Sequence, residues 1–204
     1  MAVSAEMVTQ LQEAGFFIVE DLMTDDEVDE LLQQIEGIAE GTIEFPPDAI
    51  EFDPGSDPNA SPVDRLRKIN GASRHNSVFL QHAHNPKLLD VVESVLGPDL
   101  KLFGDQLFVK PPGGIEKTYH QDSPYFKIEP MALVSSWVAL DDVTVENGCL
   151  YVVPGSHKGG PQEHSDVWMV GERKDMKIPD SAIDHDREVP VELSKGSVSF
   201  HHSL

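Results

Sequence analysis

Apolar positions in the first hundred residues recur at helical spacing. Met7, Val8 and Leu11 mark a helix over Glu6 to Ala14, with Gly15 placed to end it. Phe16 to Val19 is then an unbroken apolar run of strand length. Thr24 followed three residues later by Glu27 has the form of a capping box, and Val28, Leu31, Leu32, Ile35 and Ile38 repeat behind it as an amphipathic helix. Asn85 before Pro86 starts a third helix, with Leu88, Leu89, Val92, Val95 and Leu96 on its apolar face and Gly97 at its end. Between the second and third helices, the stretch from Gly41 to Pro62 is rich in Pro, Asp and Gly and predicts a long surface loop, a candidate lid over a binding site.

After Gly97 the period changes. Leu102 to Val109, Met131 to Leu140, Gly148 to Val153 and Val189 to His202 are short runs rich in β-branched and aromatic residues, separated by Pro, Gly and Asp clusters. Helices first and strands afterwards predict an α+β domain, mainly β at its core, with the helices packed outside an antiparallel sandwich or barrel. A chain of 204 residues can bury one sizeable core, so residues 1–204 are expected to form a single domain.

Charge narrows the choice of partners. Fifteen basic against 36 acidic side chains leave a formal charge of −21, which repels nucleic acid and an anionic membrane surface alike. One cysteine, Cys149, allows no internal disulfide, and it lies in a strand pattern as a small core residue. The start Met1-Ala2-Val3-Ser4-Ala5-Glu6 lacks the pattern of a signal peptide, and no apolar run has the ~18 residues a membrane span requires. The expectation is a cytoplasmic protein, monomer or homodimer, acting on a small molecule.

Candidate chemistry centres on Thr118-Tyr119-His120-Gln121-Asp122-Ser123-Pro124-Tyr125-Phe126, reached through Pro111-Pro112-Gly113-Gly114. Nine histidines in a chain with 36 acidic residues in 204 give about 1.6 His-x-acid pairs by chance, so the spacing alone is weak. A second pair, His164-Ser165-Asp166, lies in a polar stretch between Pro161 and Trp168 that reads as loop. At His120 the setting is different, because strand patterns flank the pair. In an extended segment residues i and i+2 share a face, so His120 and Asp122 can converge on one ion while Gln121 turns away. An imidazole and a carboxylate, with a second imidazole from elsewhere, make the facial triad of non-haem Fe(II), with zinc as the competing ion.

Several motifs in order carry a resemblance: Lys68-Ile69-Asn70, Gln106-Leu107-Phe108-Val109-Lys110-Pro111-Pro112, His120-Gln121-Asp122, Ser136-Trp137-Val138-Ala139-Leu140-Asp141-Asp142, and Glu146-Asn147-Gly148-Cys149-Leu150-Tyr151-Val152-Val153-Pro154-Gly155-Ser156-His157. With these the chain resembles the phytanoyl-CoA dioxygenase family of Fe(II)/2-oxoglutarate-dependent oxygenases. The resemblance implies a double-stranded β-helix of jelly-roll or cupin type, and a reaction in which 2-oxoglutarate and O2 are co-substrates. Succinate and CO2 are then released as a small organic substrate is hydroxylated. It implies His120 and Asp122 as iron ligands, and Lys68, Gln106 and Trp137 as contacts of 2-oxoglutarate. Read bottom-up, Trp137 is equally a buried strand aromatic, Lys68 a solvated charge and Gly148 a turn glycine. His157, His82 and His84 read as structural.

By the same resemblance, Lys195 to Leu204 matches the strand leading to a second iron-binding histidine, which comes five residues after the position of His202. The arginine that grips 2-oxoglutarate comes later still, so both are expected from residues following Leu204, and with them the final strands. His201 and His202 lie roughly 16 to 20 Å short of that ligand position along the strand at ~3.3 Å per residue. Neighbours on a strand face opposite sides, so one of the two points inward. The alternatives to an oxygenase are an inactive binding protein of the same fold and a different cupin-like metalloenzyme such as a zinc hydrolase. A fatty acyl-CoA substrate needs a basic patch on this acidic chain; Arg65, Arg67 and Lys68 form such a cluster, or serve 2-oxoglutarate instead.

Overall fold

A computed structural model of the chain describes residues 5–114, 116–164, 166–170 and 173–204. The elements begin with α1 (Ala5–Ala14), β1 (Phe16–Val19), α2 (Asp25–Glu40), β2 (Ile50–Phe52), α3 (Pro62–Arg65) and β3 (Leu66–Asn70). Then come α4 (Ala72–His75), α5 (Ser77–Ala83), α6 (Pro86–Leu96), β4 (Gln106–Phe108), α7 (Asp122–Phe126) and β5 (Val134–Val138). The remainder is β6 (Leu150–Val152), β7 (Asp166–Val170), β8 (Arg173–Lys177), β9 (Val189–Val191) and β10 (Val198–His202). Every pairing among the described strands is antiparallel, so the chain is α+β as the change of period predicts. Among the described residues no helix is long and apolar enough to cross a membrane.

The chain divides into two compact units. One comprises Met23–Leu89 and Lys101–Glu116. Its main helix, α2, starts on the predicted capping box: Glu27 N–H donates to Thr24 Oγ1 at 3.3 Å, and Thr24 N–H donates back to Glu27 Oε2 at 2.7 Å. Lys87 Nζ and Asn85 Nδ2 also reach that carboxylate. Although burial alone would raise its pKa, the Lys87 ammonium and these hydrogen bonds hold the Glu27 carboxyl down at about 2. Val28, Leu31, Ile35 and Ile38 are buried at helical spacing, and Gly41 closes the helix at φ +75°.

The sheet of this unit is ordered β2-β3-β4. It corrects the expectation of one long loop from Gly41 to Pro62, because Ile50–Phe52 pairs with β3 and the following Asp53 is buried against Arg67 at 3.2 Å. The prolines and aspartates on either side outweigh a three-residue strand in any compositional reading. The lid reading loses its support over this part, which is tied to β3. The strand expected over Leu102 to Val109 is confined to Gln106–Phe108. In α6 the deepest residues are Leu88 and Val91, while Leu96 is exposed, so the apolar face is turned from the one predicted through Val92 and Leu96.

The other unit comprises Met1–Leu22, Asp90–Leu100 and Lys117–Leu204. Here β10 lies between β1 and β5. Phe16 stands opposite His201 and Ile18 opposite Ser199 across one ladder; Ser135 stands opposite His201 and Trp137 opposite Ser199 across the other. Cross-strand partners share a face, so these six residues form one side of the sheet. Phe17, Val19, Val198 and Phe200 form the opposite side and are the most deeply buried part of the unit, with Phe17 and Phe200 stacked at 5.2 Å. Val189 to His202, expected as one strand run, is two strands broken by the turn at Gly196 (φ +85°). β9 pairs with β6, and Ala139, Val191 and Leu193 form a small core against which Trp137, Leu150 and Val152 pack.

β7 pairs with β8. Within the His164-Ser165-Asp166 pair, Ser165 lies outside the described residues, and Asp166 opens β7 rather than continuing a loop. Residues 1–4, cited above for the lack of a signal pattern, are likewise outside them.

Candidate metal centre

Local backbone geometry brings His120 and Asp122 together. The approach to the pair is held by β8 and the residue after it: Ile178 N–H donates to Tyr119 O at 2.9 Å, and Thr118 Oγ1 donates to Met176 O at 3.2 Å. Gln121 is extended, at φ −117° and ψ 132°, so its neighbours project to one side as expected. Asp122, however, is the first residue of the short helix α7 and not part of a strand. A carboxylate at that position sits favourably at a helix start.

Gln121 is buried and points the other way. Its Nε2 donates to Gly160 O at 3.1 Å, its Oε1 accepts from Gln162 N–H at 2.6 Å, and its own N–H donates to His164 Nε2 at 2.9 Å. His164 therefore clamps the residue between the two candidate ligands, a role that its reading as an ordinary loop histidine did not supply. Burial is the main reason its pKa is lowered, which keeps the ring neutral and able to accept.

The geometry of the pair is specific. His120 Nδ1 lies 2.7 Å from Thr118 O, a group that only accepts, so in the neutral ring the hydrogen is on Nδ1 and Nε2 carries a lone pair. That Nε2 faces Asp122 Oδ1 at 3.5 Å. The other oxygen, Oδ2, accepts a 2.6 Å hydrogen bond from Ser135 Oγ. Burial would raise the Asp122 pKa, but the His120 ring, the Ser135 hydroxyl and the His201 ring outweigh it and hold the carboxyl at about 2. His120 Nε2 and the Asp122 carboxylate thus lie close enough to share a proton or a cation between them.

His201 joins them from β10, its Nε2 3.9 Å from Asp122 Oδ2. Distance along the strand sets both terminal histidines short of the expected ligand position, but His201 approaches Asp122 across the sheet: it is the cross-strand partner of Ser135, and Ser135 holds Asp122. Burial lowers the His201 pKa, partly offset by Asp122. His202 points away, its ring 5.0 Å from that of His157, which confirms that only one of the two faces inward. The three-group set is open, and among the described residues no group of three or more His, Cys, Asp or Glu side chains is placed to hold a metal ion.

Of the residues expected to receive 2-oxoglutarate, Lys68 and Gln106 lie in the first unit and Trp137 in the second. Lys68 and Gln106 share a face of the β2-β3-β4 sheet, since Lys68 stands opposite Phe108 and Asn70 opposite Gln106. Lys68 is largely covered, lies over the Phe108 ring at 5.2 Å and is 3.9 Å from Glu51 Oε1, which also accepts a 2.8 Å bond from Asn70 Nδ2. Gln106 is exposed. In the other unit Trp137 packs against the Ala139, Val191 and Leu193 cluster, as a strand aromatic would. Gly148 is a turn glycine at φ +93°, Cys149 is buried, and His157 bonds Gln12 O at 3.1 Å. His84 Nδ1 bonds Leu80 O within its own helix.

The fold is that of known iron and 2-oxoglutarate enzymes. Solved relatives include EctD from S. alaskensis with bound Fe, at TM-score 0.78 and 23% identity over 99% of this chain and 69% of that one. The non-heme alpha ketoglutarate dependent carbocyclase SnoK is similar at TM-score 0.73 and 23% identity, over 98% of this chain and 75% of its own. The sequence model of phytanoyl-CoA dioxygenase (PhyH) matches residues 11–204, and the chain belongs to that family. Peroxisomal phytanoyl-CoA dioxygenase of Mus musculus is 29% identical over 95% of this chain and 59% of its own length. A probable alpha-ketoglutarate-dependent hypophosphite dioxygenase of Stutzerimonas stutzeri is 24% identical over 80% of this chain and 57% of its own. The chain thus spans less than two thirds of these curated relatives.

Proposed function

We propose that the chain is the metal-binding part of an Fe(II)- and 2-oxoglutarate-dependent oxygenase that hydroxylates a small organic substrate. The observation that carries this reading is the His120–Asp122 pair, with Nε2 turned to the ionised carboxylate and the two 3.5 Å apart, in a member of the phytanoyl-CoA dioxygenase family. On this reading its antiparallel sheets belong to a double-stranded β-helix. His120 and Asp122 are the iron ligands, and Lys68, Gln106 and Trp137 receive 2-oxoglutarate, whose carboxylates favour a cation and hydrogen-bond donors. When bound, iron and 2-oxoglutarate supply the oxidising power, with release of succinate and CO2. The chain's own part is to hold the two ligands in position and to exclude water from the reacting groups.

The substrate we favour is small and uncharged or zwitterionic, not a coenzyme A thioester. Arg67 is committed to Asp53, Lys68 faces Glu51, and Arg65 lies over Phe52 at 5.2 Å, so this cluster is engaged internally. Anaerobic addition of Fe(II) and 2-oxoglutarate to the intact protein is expected to give a visible charge-transfer band, and oxygen then to release succinate. Silence in both measurements overturns the assignment. The open three-group set favours one second reading, a binding protein of the same fold; that protein would retain 2-oxoglutarate without turning it over.

A further inference from the structure

We propose that Ser135 is a positioning residue that keeps Asp122 a one-oxygen ligand, an inference that rests on the metal-centre reading above. Its Oγ–H donates to Asp122 Oδ2 at 2.6 Å, within the range of charge-assisted O–H···O⁻ bonds, while Oδ1 is the oxygen turned to His120. The two carboxylate oxygens are thereby assigned different partners. A carboxylate free to rotate could give both oxygens to an ion and take one more coordination position, which the facial arrangement needs open. Ser135 is well suited to prevent this because it is carried on β5 and paired opposite His201, so the sheet fixes its position. The Asp122 side chain, which sits on a five-residue helix, is instead oriented by what it touches. Its neighbour Ser136 points to the other face and is exposed.

Bonds of this kind to a ligating carboxylate typically change metal affinity by roughly 10- to 100-fold when removed. The test is titration of the intact protein with Mn2+, followed by calorimetry, and the visible spectrum of the Co2+-loaded protein. Ser135→Ala is expected to weaken Mn2+ binding by roughly 10-fold or more and to alter the Co2+ bands at saturation. Ser135→Thr and Ser135→Val have the same shape and differ in the hydroxyl, so they carry the test if the alanine variant does not fold. Threonine is expected to stay within about threefold of wild type and valine to fall with alanine. Ser136→Ala should be silent. Wild-type affinity and spectrum in Ser135→Ala or Ser135→Val, with wild type binding one ion and Asp122→Ala none, overturns the role of Ser135 alone. Failure of wild type to bind either ion overturns the metal centre and this inference together.

Discussion

Ser123 and Ser203 are joined twice, through Ser123 N–H to Ser203 O at 3.0 Å and Ser123 Oγ–H to Ser203 Oγ at 2.8 Å, and both residues are fully buried. The end of β10 thereby fixes the first turn of α7, the turn that begins with Asp122. Removing one hydroxyl leaves the other buried without its partner, so Ser123→Ala is expected to cost about 1–3 kcal/mol. The Ser123→Ala/Ser203→Ala double variant should cost less than the two singles combined, as read from urea unfolding.

Acid should act through Asp122. Its carboxyl is held at about 2 against an ordinary 3.8, so its contribution is present in full above pH 3.8 and is lost as pH falls from about 4 to about 2. The shift corresponds to ~2 kcal/mol for this mostly covered group. In the metal-free protein, Asp122→Asn should be less stable than wild type by about that amount at pH 6, and the gap should close on acidification through that window. A gap that is the same at pH 6 and pH 2.5 contradicts the assignment.

Gly15 has a positive φ of +86°, and a Cβ built there would meet His157 Nδ1 at 2.6 Å. Gly15→Ala is therefore expected to destabilise by more than the ~1 kcal/mol of the backbone term alone. Adding His157→Ala should recover the steric part and leave the backbone part, a non-additivity measurable by thermal denaturation.

Glu51 holds Asn70 and faces Lys68, the two polar side chains beside it on the β2-β3-β4 sheet. If this face receives a carboxylate of 2-oxoglutarate, Glu51 competes with it. Glu51→Gln is then expected to tighten 2-oxoglutarate binding a few-fold, the scale of a partly exposed ion pair, and the effect should shrink with added salt. Calorimetry at low and high ionic strength checks both.

Much of the architecture was legible because local physics decided it. The Thr24–Glu27 box and the helical repeat behind it, the Phe16–Val19 run and the cap at Asn85 rest on interactions within a few residues. What escaped was set by distant partners. β2 is three residues long and is a strand because β3 lies beside it, and β3 itself was noticed only as a motif. At the candidate site, His120 and Asp122 stand out by spacing and context. Ser135, His164 and His201 act through hydrogen bonds or proximity to residues 13 to 79 positions away, so no local pattern could reveal them.

The alternation along β10 ties two duties to one strand. Ser199 and His201 lie on the side that carries Ser135, while Val198 and Phe200 are fully buried on the other. Individual side chains here can be exchanged and their effects read separately. Losing or gaining a single residue cannot be local, because every member would change sides at once, sending an imidazole into the aromatic stack and a benzyl group towards Asp122. This stretch therefore cannot change length without exchanging its two faces.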